Sequence, residues 1–349
     1  MKIPTEPIGS IPRTPELIKA ITSPSEALDM EELFEKAVEL TVGEFEKTGS
    51  PVITDGEQSK QSFVTYPLHG LSNITEGGMK IEFADGHVRQ LPLLTKGPFR
   101  YRNYAEQYLK KALKYAKRPV KQAVISASAL SLIYPPGGIE GYSQAEFIED
   151  LINECEKDIR QCLRNNAYKV QMDFTEGRLS LKLDPSGGVL KQFIALNNRV
   201  FNRFNREERK KIGIHVCPGG DHDSTHSADI DYTQFLPQLF ELNVGNFYLQ
   251  LASEPDRKKV LNTVKEHIRP DQMVFVGVID VNNPRIETPE EVRDSILEAA
   301  LYIPENQLGT TDDCGFSPFC DDVSTTRETA FAKIRSRVEG TRLAEKILF

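Results

Sequence analysis

His215 and Cys217 stand two residues apart, and a second thiol, Cys314, closes an Asp312-Asp-Cys314 run much later in the chain. A β-strand turns residues i and i+2 to the same side, so the imidazole and the first thiolate can reach one ion. A third ligand from a neighbouring strand end would give zinc a soft nitrogen and sulfur site, with the remaining position open or weakly held. Taken alone, each cysteine reads equally well as a small buried hydrophobe. Other apolar runs end in polar groups in the same way: Asp55-Gly-Glu57, Asp173, Gln250 and Asp280-Val-Asn282. Any one of these is an ordinary turn or cap residue, but six such endings together point to a shared site.

The elements that must position them form a repeating pattern. Short apolar runs at 51–54, 122–126, 169–172, 213–216, 246–249, 273–279 and 307–310 are each followed by a turn and a charge-rich, helix-like stretch, which is the rhythm of βα units. A weaker run at 90–94 makes eight, and eight strands fit a closed parallel (β/α)8 barrel of the TIM type. Helical periodicity is clearest at 27–48, 104–117, 143–164, 288–302 and 324–348. Successive intervals from Asp173 to His215, Gln250, Asp280 and Asp313 are 42, 35, 30 and 33 residues, about one βα unit each. In a parallel barrel all strand ends meet at one rim, so residues distant in sequence converge there.

Two stretches exceed a minimal barrel. Residues 70–87 alternate apolar and polar side chains around glycines, as a β-hairpin excursion does. Residues 175–188 are polar with a Pro-Ser-Gly-Gly turn and read as a long loop. The segment after Cys217, with His222 and His226, could cradle phosphate, cover a substrate or supply another ligand; a glycine turn and helix cap is the simpler reading. His69, His87 and His267 have no company that suggests chemistry. Cys155 and Cys162 share a helix face and belong in the core, while Cys320 could approach Cys314 as a spare ligand or redox partner.

Composition narrows the function classes. The 349 residues carry 43 Lys plus Arg against 51 Asp plus Glu, a net charge of -8, which argues against a general nucleic-acid binder. No apolar run approaches the ~20 residues of a membrane span. Five cysteines, an odd number, with no basic segment and apolar run at the start, point to a cytoplasmic protein whose cysteines are thiols or ligands rather than disulfides. The length suits two average domains or one elaborated barrel over 1–349, the latter favoured by the βα rhythm. Monomer and dimer both remain compatible with this surface.

The ordered motifs Ile8-Gly-Ser-Ile-Pro-Arg-Thr14, Asp55-Gly-Glu57, Gln171-Met-Asp173, His215-Val-Cys217, Gly277-Val-Ile-Asp-Val-Asn-Asn-Pro-Arg-Ile286 and Asp313-Cys-Gly315 resemble the catalytic C-terminal barrel of the cobalamin-independent methionine synthase family, here as a short, core-type member. The resemblance implies a zinc-holding barrel that passes a methyl group to the thiol of homocysteine, giving methionine or a related thioether. It carries zinc ligation onto His215, Cys217 and Cys314, and binding of the amino-acid part of homocysteine onto Ser10, Glu57 and Asp173. Where the family has a fourth ligand, a glutamate, this chain has Gln250, with Glu254 four residues on as the alternative. Where the family has an acid histidine, this chain has Asn282, grouped with Asp280 as the catalytic candidates. An amide cannot deliver a proton as a histidine does. With no Trp in the chain, a pterin would stack on Phe or Tyr. The partners implied are a small-molecule thiol and a methyl donor, a methylfolate or a methylated corrinoid.

Three rival readings stand beside this one, among them a non-catalytic zinc- or thiol-binding protein whose catalytic acid has been lost. A relative could open an epoxide or use another alkyl donor with a thiol of the coenzyme M type, although two carboxylates would repel a sulfonate. A metal-free lyase like uroporphyrinogen decarboxylase could share the barrel, because fold does not fix function.

Overall fold

A computed structural model describes residues 2–23 and 29–349. Six strands, Gln122–Ile125, Val170–Asp173, Ile212–Val216, Asn246–Leu249, Met273–Gly277 and Leu308–Thr311, lie in chain order in one parallel sheet. Their residues are buried throughout except the partly exposed Met273, as expected of strands covered on both faces. At one edge Thr5 bridges in parallel to Thr310, and at the other Ile53 bridges to Val120. These two outer segments meet through Ile11 N–H donating to the Gly56 carbonyl (3.0 Å) and Thr54 Oγ1 donating to the Gly9 carbonyl (2.8 Å). Eight staves therefore surround one interior, with side-chain and loop hydrogen bonds joining the first two where no ladder forms.

The 90–94 run is not one of the staves. Val88–Gln90 pairs antiparallel with Lys80–Glu82, and Leu93–Leu94 pairs with Ile74–Thr75, so the excursion after the second stave is a double hairpin extending past residue 87. The missing stave is the segment around Thr5, where Pro4 and Pro7 leave too short a run for a strand pattern to register.

Small residues inside the barrel admit large ones. A Cβ at Gly213 would lie 2.6 Å from the Tyr248 ring, and one at Gly309 would lie 2.5 Å from Phe275. Those two rings stack with centroids 4.7 Å apart. Beside them Glu6 accepts from Tyr248 Oη (2.6 Å) and Lys169 Nζ (2.7 Å). Aromatic rings and paired charges thus fill the interior towards the strands' N-terminal ends, and the opposite rim is left for the site.

The outer helices follow their start signals. Ser143 and Glu146 form a capping box on Gln144–Arg164, and Thr288 and Glu291 do the same on Pro289–Ala300. Asp29 caps Met30–Lys47, and Thr326 caps Arg327–Leu348. Residues 27 and 28 of the expected first helix lie outside the described residues. Cys155 and Cys162 are buried on Gln144–Arg164, against the barrel. Among the described residues no helix is long and apolar enough to cross a membrane.

The expected loop at 175–188 is mostly helix. Glu176–Leu183 is helical, and its first six residues are buried, which a polar composition alone concealed. Glu176 is drawn inward because its carboxylate accepts from Ser126 Oγ (2.5 Å) and from Ser128 Oγ. Burial nevertheless pushes its pKa up to about 7, the two hydroxyls opposing the shift only in part. Between pH ~4.5 and ~7 the folded chain keeps a proton that the unfolded chain releases, so this group's contribution to stability falls as pH rises through that window. Glu176→Gln keeps an acceptor without the charge. Thermal unfolding should therefore show the variant more stable than wild type at pH 8, by about 1–3 kcal/mol, with the difference gone near pH 4.5. Equal differences at both pH values would contradict the assignment.

Candidate active site

The three residues singled out by chemistry converge. His215 lies on the Ile212–Val216 strand, Cys217 directly beyond it, and Cys314 three residues past Leu308–Thr311. Their ligand atoms all lie within 4.8 Å of one another, with the two sulfur atoms 2.9 Å apart and unlinked. Cys320 is outside this cluster and also a free thiol.

His215 is oriented as a ligand would be. Its Nδ1 lies 3.4 Å from Asp173 Oδ1, while its Nε2 is buried with no hydrogen-bond partner. Burial, with the Lys121 charge adding to it, pushes the imidazole pKa down to about 3, so the ring is neutral and keeps a lone pair. A carboxylate behind the ring and an orphaned nitrogen in front of it match the usual surroundings of a metal-bound histidine. Cys314 has its pKa raised by its contact with Cys217 and by burial, against the pull of the Gly220 and Gly315 amides. The Cys314 thiol therefore resists ionisation, and a bound dication would reverse that preference. The donor set therefore fits a soft divalent ion.

A neighbouring carboxylate fixes these strand ends. Asp313 accepts from the backbone N–H groups of Leu251 and Ala252 (2.9 Å each) and Ser253 (2.8 Å), and from Ser253 Oγ (2.7 Å). Burial raises its pKa to about 6, and these donors oppose the shift. A Cβ at Gly277 would come within 1.9 Å of Asp313 Oδ1, so only glycine leaves room for this anchor. Asp313 is a structural cap, which is the ordinary reading of such a residue, and it carries Cys314 into place.

The fourth-ligand candidates are otherwise engaged. Gln250 Nε2 donates to Ser253 Oγ (2.8 Å), and Arg178 Nη1 lies 3.5 Å from its Oε1. Glu254 forms a buried ion pair with Arg178 at 2.8 Å and stands outside the cluster. Arg178 thus spends Glu254 as a counter-ion, a partnership that spacing from Gln250 could not reveal.

A cavity of about 20 Å³, room for one water, lies beside the cluster and is lined by Ser10, Glu57, Asp173, His215 and Cys314 among others. All three residues expected to hold an amino acid therefore face the metal-capable triad. Ser10 Oγ accepts from Ser317 N–H (3.1 Å), and a Cβ at Gly315 would lie 2.1 Å from that oxygen. Glu57 sits at φ +55° and takes Lys60 Nζ at 3.0 Å, so one anion of the pocket already has a buried cation. Asp173 has its pKa raised to about 7 by burial and then by the charge of Glu57. Lys60, three residues after Glu57, was within reach of sequence reasoning; Arg13, which binds the Glu57 and Lys60 carbonyls at 2.6 and 2.9 Å, lies in the 8–14 motif, which gave no sign of this contact.

Asp280 and Asn282 stand apart from that cavity lining. Asp280 Oδ1 accepts from Asn282 N–H at 3.0 Å, a local turn, and Asn282 Oδ1 lies 3.8 Å from the place of a Cβ at Gly220. The segment after Cys217 is a small hairpin, Gly220–Asp221 against Ser224–Thr225, rather than a helix cap. Buried Asp221 binds Arg89 Nε (2.5 Å) and His87 Nε2 (3.0 Å), which ties this hairpin to the excursion. His87 thus has company that no local pattern disclosed. His226 is buried against Gly219 and stands outside the metal-capable cluster.

An α/β barrel with an imidazole and two thiols at its C-terminal rim defines a class of barrel proteins with a metal-capable site. Residues 214–341 match the family described as cobalamin-independent synthase, catalytic domain. The methionine synthases of Sulfurisphaera tokodaii and Saccharolobus solfataricus are each 25% identical over 360 residues, covering 99% of this chain and 94% and 96% of theirs. Among solved structures, the B12-independent methionine synthase of Shewanella sp. W3-18-1 in complex with selenomethionine superposes with a TM-score of 0.76 at 18% identity, covering 99% of this chain and 98% of that one. A putative vitamin-B12 independent methionine synthase from Listeria monocytogenes gives 0.70 at 21% identity, covering 99% and 97%. The chain matches the cobalamin-independent synthase family's catalytic domain over residues 214–341, is similar to methionine synthases along nearly its whole length, and is a methyltransferase of the methionine synthase type.

Replacing Cys314 would remove one of the three candidate ligands without touching the Asp313 anchor. Elemental analysis should find about one metal ion per wild-type chain and little in Cys314→Ser, with the metal-stripped proteins melting within a few degrees of each other. Full metal content in the variant would contradict the ligand assignment.

Proposed function

We propose that this protein is a zinc-dependent methyltransferase that methylates the thiol of homocysteine, giving methionine, and that it works in the cytoplasm as one elaborated barrel over 1–349. The observation that carries the reading is the unpartnered His215 Nε2 grouped with two thiols in a cavity that also presents Ser10, Glu57 and Asp173. Zinc held by His215, Cys217 and Cys314 would supply thiol activation, lowering the substrate's pKa so that a nucleophilic thiolate exists at neutral pH. Gln250 and Glu254 are left out of the ligand set because Ser253 and Arg178 engage them.

The chain's own residues divide the remaining work. Both contacts to the Asp173 carboxylate fall on Oδ1, which leaves Oδ2 for the ammonium of the substrate, with Glu57 as the second anion. Lys60 offsets part of that negative charge, so the pocket suits a zwitterion rather than a bare cation. Ser10 Oγ, held by Ser317 N–H, faces the substrate carboxylate. Phe63 and Pro318 add apolar surface to a lining that leaves room for one water, and this lining must open to admit an amino acid. Asn282 and Asp280 have the role of shaping the rim over the Gly220 hairpin, and neither is assigned a proton transfer.

The donor is proposed to be a methylfolate, stacked on Phe or Tyr: the N5–methyl bond breaks as the S–methyl bond forms, and the folate amine takes up, by way of solvent, the proton that the thiol released. The family's description as cobalamin-independent lends no support to the methylated corrinoid that the sequence left open. Glu57 and Asp173 disfavour a sulfonate thiol, and a metal-free lyase has no use for the cluster.

Zinc-loaded protein given homocysteine and methyltetrahydrofolate should form methionine, measured by mass spectrometry with a labelled methyl group. Zinc and thiol binding without methionine formation would overturn the reading. Gly315→Ala should displace Ser10 Oγ and raise the KM for homocysteine about tenfold while zinc content is unchanged, the order of one lost hydrogen bond to a charged group. An unchanged KM would remove Ser10 from the site.

A further inference from the structure

Beside Asp173 in the cavity lining stands Gln171, and behind it Lys121; together they form a chain of buried polar groups that the proposed chemistry does not itself require. Gln171 and Asp173 occupy the same face of the Val170–Asp173 strand, and Gln171 Nε2 donates to Asp173 Oδ1 at 2.8 Å. Lys121, which immediately precedes the neighbouring strand, donates from Nζ to Gln171 Oε1 at 2.6 Å. Ala123, beside Gln171 in the register, is small enough to leave the path open. All four residues are buried.

An amide is a two-ended group, and its direction is a matter of what flanks it. On one side stands Lys121, whose pKa burial pushes down to about 7 against the pull of Glu6, and on the other the Asp173 carboxyl; in their charged forms the two fix the amide's direction. Turning the amide round would set its NH2 against Lys121 and its oxygen against Asp173, losing both hydrogen bonds and creating two repulsions in a buried setting. Lys121 is itself held by Glu6 Oε2 at 3.8 Å and by the face of the Tyr248 ring at 3.9 Å, so its position does not depend on Gln171. The direction of the chain therefore runs from Lys121 to the pocket.

We propose that Lys121 and Gln171 are positioning residues that set substrate specificity. Lys121 fixes the Gln171 amide, Gln171 occupies Asp173 Oδ1, and the carboxylate is left with Oδ2 turned to a substrate ammonium. The pocket selects an α-amino thiol over the same thiol without its amino group because that one oxygen cannot rotate away. This rests on the homocysteine reading of Asp173, and it assigns a function to a buried lysine that touches no substrate.

Calorimetric titration of zinc-loaded protein with homocysteine and with 4-sulfanylbutanoate, which lacks the ammonium, measures the preference directly, and zinc content is checked alongside. Wild type should favour homocysteine. Gln171→Met should reduce that preference about tenfold with zinc retained, Lys121→Met should reduce it less, and the double variant should match Gln171→Met, since Lys121 acts through the amide. If Gln171→Met does not fold, Lys121→Met alone carries the comparison. A wild-type preference that survives intact in the folded variants, or effects that simply add, would overturn the relay while leaving the homocysteine reading in place. No preference in wild type would overturn the reading of Asp173, and the relay with it.

Discussion

Asp313 is the contact on which the site depends. Its carboxylate gathers three consecutive backbone amides from the end of the Asn246–Leu249 strand, and so locks that strand end to the one that carries Cys314. A carboxylate buried this deeply is tolerable only with its acceptor capacity used, and four donors use it. Because the anchor is made largely of backbone, it fixes main-chain geometry rather than a single rotamer. Cys314 follows directly, and its sulfur is brought to 2.9 Å from Cys217 without a covalent bond. Gly277 is the other half of the arrangement, since any side chain there would occupy the space of the anchor.

The barrel separates two tasks along its axis. Towards the N-terminal ends of the strands, Tyr248, Phe275, Glu6 and Lys169 fill the interior with stacked rings and paired charges. At the other rim, donors converge that have few partners of their own, above all His215 Nε2. Between the two, Lys121 and Gln171 connect the charged filling to the site. An unsatisfied nitrogen is costly when buried, so His215 Nε2, grouped with two thiols, marks where a ligand completes the structure.

Much of this was legible in the sequence, for a physical reason. Strand ends in a parallel barrel share a rim whatever the loops do, so the spacing of His215, Gln250, Asp280 and Asp313 was enough to predict that their strands converge. The triad His215, Cys217 and Cys314 and the pocket residues Ser10, Glu57 and Asp173 do meet. What stayed hidden depends on side-chain partnerships across units. Glu254 belongs to Arg178, His87 belongs to Asp221, and neither pairing has a local signature. The first stave was missed because prolines break its pattern, and the helix at Glu176–Leu183 because its burial comes from Ser126 and Ser128 on another unit.

The central claim is that two thiolates and one imidazole from separate βα units form a single metal centre. X-ray absorption at the zinc edge, on protein purified without added metal, reads that ligand set directly. The shell should contain two sulfur atoms and one imidazole nitrogen from the chain. A shell of oxygen and nitrogen alone, or protein free of zinc, would contradict it.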